Sequence, residues 1–212
     1  MWVVKLGGSL ATSASIQQWL DVLACHGAGN VVLVPGGGPF ARQVRAMQSS
    51  WQFNDEVAHR MALLAMEQYG WMLLGLRPDL IPAVDTEEIE AALNRAQVPV
   101  WLPSRMVLAD SALPANWDVT SDSLAAWLAL RLKAEHLILV KSAQVDAGTI
   151  ECKILQAEGV VDRAFAGFLG QGGFRAWICH GNDSELFRLA LYSGVVAGTR
   201  VDTAPAVAPP DG

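Results

Sequence analysis

Cysteine is scarce in this chain. The three present, Cys25, Cys152 and Cys179, include no CxxC pair, and their odd number excludes a full set of internal disulfides. Each is read as a reduced, buried small hydrophobe. A basic excess is also lacking: 15 Lys and Arg stand against 21 Asp and Glu, for a net charge of −6. That balance argues against general nucleic-acid binding, which draws on basic surface. Long apolar runs are missing too. The most apolar segment, Met61 to Leu76, carries Glu67 and Gln68 and is too short to cross a bilayer comfortably. No basic stretch leads into an apolar run at the start, so no secretory signal is expected. A soluble cytoplasmic protein without a membrane partner is the expectation. Internal repeats and heptads are absent as well.

Hydrophobic residues make up 52% and charged residues 17% of 212, so the chain can bury a large core and is not disordered. That length suits one large α/β domain or two small ones. Its first nine residues, MWVVKLGGS, organise the rest. Trp2 to Val4 suit a buried parallel strand. Lys5, Gly7 and Gly8 follow, and a helix is expected from about Ser13. Glycines here let backbone N–H groups approach a phosphate, the helix N-terminus adds a favourable dipole, and lysine adds a point charge. A Gly-Gly pair can also be a plain βα turn, and a strand lysine can point to solvent.

The unit then recurs. Ile16, Trp19, Leu20 and Leu23 mark an amphipathic helix, and Val31 to Val34 suit a strand buried on both faces. Gly36, Gly37 and Gly38 end that strand, and a helix from Phe40 to Met47 carries Arg42 one turn in. Two glycine loops after consecutive parallel strands share one sheet edge, where open α/β sheets bind ligands. This pairing raises the phosphate reading.

Asn54 to Leu76 reads as one long helix with Asn54 as N-cap, and Val57, Met61, Leu64, Ala65 and Gln68 fall along one face. His59 lies near the end that faces the glycine loops. It is a candidate ligand, or a partly buried histidine bonded to backbone. Strands are expected at 80–84, 98–102, 136–140, 175–179 and 195–201, with helices at 86–94, up to about 133, within 160–169, and at 184–192. Residues 106–116 are expected to be irregular, Val145 to Gly148 to form a turn, and Thr120, Ser121 or Asp122 to cap the helix that follows. Strands alternating with helices imply a parallel sheet covered on both sides.

Several motifs stand in one order: VVKLGGSL (Val3 to Leu10), VLVPGGGPFA (Val32 to Ala41), WDVTSDSLAAWLA (Trp117 to Ala129), LILVK (Leu137 to Lys141) and GTRV (Gly198 to Val201). Together they resemble the amino acid kinase superfamily, which includes acetylglutamate, aspartate, uridylate and isopentenyl phosphate kinases. DEVAHRMALLAMEQYG (Asp55 to Gly70) and WDVTSDS look most like the [5-(aminomethyl)furan-3-yl]methyl phosphate kinase branch of methanofuran biosynthesis. The resemblance implies a three-layer αβα sandwich with a mainly parallel central sheet, the carbamate kinase-like fold. It spans residues 1–202 as a single domain, and the proline- and alanine-rich 203–212 are expected to form a flexible tail.

The resemblance also implies phosphoryl transfer from ATP with Mg²⁺ to a small phosphorylated substrate, in a homo-oligomer. Lys5 matches the lysine that bridges donor and acceptor phosphates, and Asp122 matches the aspartate that orients it. Gly7, Gly8 and Ser9 match the loop around the transferred group, with Lys141 assigned to the ATP phosphates. Gly36, Gly37 and Gly38 match the acceptor-side loop, and Arg42 and His59 are candidates for gripping the acceptor. No residue is picked out as a metal ligand. Two departures stand out. Where many relatives have a threonine–aspartate pair, this chain has Lys141-Ser142-Ala143. Where they have Gly-Gly-Met and a downstream lysine, it has Val161-Asp162-Arg163-Ala164-Phe165, which leaves Lys141 or Arg163 to substitute. The alternatives are a uridylate or isopentenyl phosphate kinase-like enzyme, or a non-catalytic nucleotide- or oxyanion-binding protein on the same fold.

Overall fold

A computed structural model describes residues 1–203, so the tail expected after Thr203 lies outside the described residues. The elements run β1 (Trp2–Leu6), α1 (Ser15–His26), β2 (Val31–Pro35), α2 (Gly38–Trp51), α3 (Asp55–Leu76), β3 (Leu80–Ala83), α4 (Thr86–Asn94), β4 (Val98–Trp101), α5 (Ser104–Ala109) and α6 (Ser121–Arg131). They continue β5 (His136–Lys141), β6 (Gly148–Glu151), α7 (Cys152–Ala157), α8 (Phe165–Leu169), β7 (Arg175–His180), α9 (Ser184–Ser193) and β8 (Thr199–Asp202). A 3₁₀ turn over Gly8–Thr12 joins β1 to α1.

The strands form one sheet in the order β3-β4-β2-β1-β5-β7-β8-β6. All pairings are parallel except β7 with β8, so the mainly parallel α/β architecture expected from the sequence is the one found. β1 lies between β2 and β5, with Leu6 in register with Pro35 on one side and Val140 on the other. The three strand ends therefore open onto one edge.

Alternation along the strands divides the core in two. Trp2, Val4 and Leu6 join Val31, Leu33, Ile138 and Val140 on the face covered by α1 and α9. Val3 joins Val32, Val34, Leu137 and Leu139 on the face covered by α6 and α8. Lys5 has the parity of Val3, so its side chain falls on the α6 side. Trp101 and Trp127 stack at 5.9 Å between ring centroids in that layer. No helix among the described residues is long and apolar enough to cross a membrane.

Several local expectations change. Residues 104–109 form α5, where irregular chain was expected from 106. The Glu67 carboxylate accepts the Ser104 N–H at 2.9 Å and satisfies a helix-start donor from another helix. β6 and α7 were not foreseen. β6 is an exposed edge strand with no apolar run, and α7 buries only Cys152 and Leu155. β8 begins at Thr199, because Gly194 turns left-handed at φ 72° and Val195 is exposed. On α3 the buried line runs through Leu63, Met66, Tyr69 and Leu73, while Val57 and Leu64 of the expected face look outward. Cys25 is exposed, contrary to expectation, while Cys152 and Cys179 are buried.

Candidate active site

Lys5 is 3% exposed, so it does not point to solvent. A buried ammonium needs a counter-charge, and α6 supplies it. Lys5 Nζ lies 2.8 Å from Asp122 Oδ1, close enough for an ion pair but without hydrogen-bond alignment. Lys141, the last residue of β5, donates from Nζ to Asp122 Oδ2 at 2.7 Å and to the Val160 carbonyl at 2.6 Å. One buried carboxylate thus sits between two lysines from adjacent strands. Burial alone would push the Asp122 carboxyl up, but Lys141 and Lys5 outweigh it and hold it at about 2. Burial draws Lys141 down to about 8, with Asp122 opposing and Lys5 adding to the fall.

Asp122 owes its position to an unexpected cap. Thr120 occupies the N-cap of α6, yet neither its side chain nor that of Ser121 or Asp122 caps the helix. The Asp162 carboxylate does so from outside. It accepts the Thr120 N–H at 3.0 Å, the Thr120 hydroxyl at 2.8 Å, the Ser123 N–H at 3.0 Å and the Ser123 hydroxyl.

The two glycine turns touch each other. A Cβ on Gly8 would meet Gly38 N at 2.4 Å, and one on Gly36 would meet Gly8 N at 2.6 Å. One on Gly7 would meet the Val140 carbonyl at 2.6 Å. Gly38 has φ +58°, the left-handed region that favours glycine. Beyond the turn, the Ser142 hydroxyl donates to Ser9 Oγ at 2.8 Å, tying the loop after β1 to the loop after β5. We expect Gly8→Ala to destabilise the fold by about 1–3 kcal/mol, since the obstructing atoms are backbone and cannot rotate aside. Gly75→Ala, on α3 with open space around it, should be neutral or slightly stabilising. Urea unfolding of the pair measures the difference, and equal midpoints would refute the tight apposition.

Gly37, Gly38, Arg42 and His59 line an inner cavity of about 180 Å³, with Leu63, Met66 and Leu124 adding apolar wall. Burial, and then Arg60, lower the pKa of His59, so near neutral pH it is an uncharged imidazole. Two further residues on this wall escaped the sequence reading. The Arg45 guanidinium lies 3.8 Å over the Trp117 ring, and Trp117 Nε1 donates to Gln48 Oε1 at 2.6 Å. Arg45 follows Arg42 by one helical turn, a spacing that could have found it. Asp162 left no local signal. Arg45, Trp117 and Thr120 also line a wider outer cavity of about 700 Å³, together with Asp122, Lys141 and Asp162. Arg163 lies on its rim, 87% exposed and 3.5 Å from Asp118. The site residues expected from the sequence thus gather at one sheet edge.

The architecture is that of an open α/β protein, a class whose ligands bind where parallel strands end. The amino acid kinase family model matches residues 1–146, and the chain belongs to that family. It is a kinase, a phosphotransferase. A curated relative, the [5-(aminomethyl)furan-3-yl]methyl phosphate kinase of Methanocaldococcus jannaschii, is 26% identical over 198 residues, 87% of this chain and 90% of that protein. Similar solved structures include a uridylate kinase from Archaeoglobus fulgidus (TM-score 0.72, 19% identity, 95% of this chain and 99% of that one). A UMP kinase from Bacillus anthracis gives a TM-score of 0.69 at 15% identity, over 96% of each chain. At those identities the structural matches establish the fold.

Proposed function

We propose that this kinase transfers the γ-phosphoryl group of ATP to a small phosphate monoester, with [5-(aminomethyl)furan-3-yl]methyl phosphate as the preferred acceptor. The observation that carries the reading is the pair of apposed glycine turns beside the buried Lys5–Asp122–Lys141 cluster. Phosphoryl transfer asks the protein for in-line positioning and charge neutralisation rather than covalent chemistry. Lys5 bridges donor and acceptor phosphates, and Asp122 holds it. Gly7, Gly8 and Ser9 surround the transferred group, and Lys141 neutralises the ATP phosphates. Gly36, Gly37 and Gly38 face the acceptor phosphate, with Arg42 for charge and His59 for a neutral hydrogen bond. The acceptor is already ionised, so no general base is needed. Mg²⁺ enters with ATP.

The inner cavity favours a small acceptor. Its 180 Å³ falls below the roughly 300–1,000 Å³ of clefts that take drug-sized ligands. Trp117, with Arg45 stacked on its ring, adds an aromatic wall. No carboxylate lines this cavity among the described residues, so an aminomethyl group must reach its rim, where Asp118 and Asp55 line the adjoining spaces. A homo-oligomer belongs to the same reading, with exposed Val57, Leu64 and Trp71 along α3 as apolar surface.

An ADP-release assay over an acceptor panel tests this. The furanmethyl phosphate should stimulate release above uridylate and isopentenyl phosphate. Failure of every phosphate monoester would overturn the phosphate-acceptor reading. ATP binding by calorimetry without turnover would favour a non-catalytic nucleotide-binding protein instead, the reading that the solvent-facing Arg163 supports.

A further inference from the structure

The α6 N-terminus carries Asp122 in its first turn, and its free N–H groups form a natural anion site. That site is filled by the protein's own carboxylate. Asp162 accepts four donors, two on Thr120 and two on Ser123, which flank Asp122 on both sides. A carboxylate in this place satisfies the orphan donors and gains from the helix dipole.

The turn that delivers Asp162 reaches the second lysine as well. Two residues before Asp162, the Val160 carbonyl accepts from Lys141 Nζ at 2.6 Å. The turn is pinned on either side. The Val160 N–H donates to the Leu155 carbonyl at 2.8 Å, and the Ala164 N–H donates to the Asp118 carbonyl at 3.0 Å. The Gln156 amide donates to the Arg163 carbonyl at 2.6 Å. Both acceptors of the Lys141 ammonium, the Asp122 carboxylate and the Val160 carbonyl, therefore stand where the Asp162 cap puts them.

We propose that Asp162 is a positioning residue: by capping α6 from a distant turn it fixes Asp122 and the Val160 carbonyl together, and so holds Lys141 as the second cation of the phosphoryl-transfer centre. This rests on the kinase reading of the site. It also resolves the missing downstream lysine. Lys141 takes that place from the end of β5, while the turn where relatives carry a lysine contributes a cap. Arg163, facing solvent beside Asp118, does not fill the role.

The charged groups facing Lys141 are Asp122, Lys5 and Asp162, with Arg45, Asp118, Glu158 and Arg163 around the outer cavity. The negative charge of Asp162 favours the protonated lysine. Neutralising it therefore favours loss of the proton and lowers the Lys141 midpoint.

The test compares wild type with Asp162→Asn, which keeps the shape and removes the charge. Two readouts are needed. In the free protein, a ¹³Cε lysine titration should show the Lys141 midpoint falling by on the order of 0.5–1 unit. In turnover, kcat should fall by on the order of 10–10², as small misplacements cost. The acceptor KM should stay within about threefold, because the change lies on the transition-state side. The alkaline limb of the kcat profile should move to lower pH. Ser123→Ala removes one donor but leaves the charge, so it should lower kcat without moving the limb. It serves also if Asp162→Asn does not fold. An unmoved Lys141 midpoint and limb in Asp162→Asn, an unchanged kcat in Ser123→Ala, or loss of thermal stability alone in either would overturn the proposal. If wild type turns over no acceptor, the kinase reading fails, while the titration in the free protein still decides the placement of Lys141.

Discussion

Lys5→Met is expected to lower kcat by about 10²–10³, the loss seen when one preorganised donor to a developing oxyanion is removed. Methionine nearly fills the volume of the lysine, and the stem of Lys5 runs between apolar strand neighbours. Its register partners, Val34 and Leu139, are both fully buried. The fold should therefore tolerate the change, and Asp122 keeps Lys141 at 2.7 Å as a counter-charge. The lost interaction belongs to the transition state, where charge accumulates between the two phosphates. kcat and kcat/KM should then fall together, with the ATP KM little altered. Lys5→Arg should not restore the rate, because a planar guanidinium does not fit a site built for a compact ammonium. An ADP-release assay with saturating acceptor makes the measurement. A Lys5→Met enzyme that keeps more than about a tenth of the wild-type rate would remove Lys5 from the proposed role.

Much of this site is legible in the primary structure because it is written locally. Each strand and the glycine turn that follows it are contiguous, so β1 with Gly7-Gly8 and β2 with Gly36–Gly38 can be read before any fold is known. Strand alternation then puts Lys5 on the face of Val3 rather than that of Val4. What cannot be read is contact across the chain. Asp162 meets Thr120 and Ser123 from 42 and 39 residues away, and an aspartate in an irregular turn has no period to betray it. The ring of Trp117 finds Arg45 only because the chain before α6 folds back over α2. Short elements are lost for a related reason. β6 exposes most of its residues, and α5 takes its starting cap from Glu67 on another helix, so neither carries its own signal. Cys25 shows the same limit in the core: it lies on an amphipathic helix, and composition alone cannot say which face it takes.

Asp122→Ala is the substitution with the largest expected cost to the fold. It strips the shared counter-charge from two lysines whose side chains are only 4% and 12% exposed. Breaking a buried pair by removing one partner costs about 3–5 kcal/mol, because the remaining charge cannot recover its hydration. Here two like charges remain, so the loss should lie toward the upper end. Acid adds a second signature. The folded carboxyl, held at about 2, titrates below its ordinary value of 3.8. Its contribution is therefore complete above the unfolded pKa and disappears as pH falls through the folded one. That window, between about 4 and 2, should cost wild type roughly 2 kcal/mol that the variant no longer has to lose. The stability gap between the two should accordingly narrow on acidification. On the alkaline side it should narrow again as the unpaired Lys141, already drawn down by burial, sheds its proton. A triple variant, Lys5→Met, Asp122→Leu and Lys141→Met, should regain much of the stability with no activity, since apolar side chains of similar size often replace a buried ion cluster without penalty. Urea unfolding on all three proteins, from about pH 2 to about pH 9, supplies the comparison. A single Asp122→Ala variant within about 1 kcal/mol of wild type at pH 7 would mean that the cluster is hydrated and open, unlike the buried centre described above.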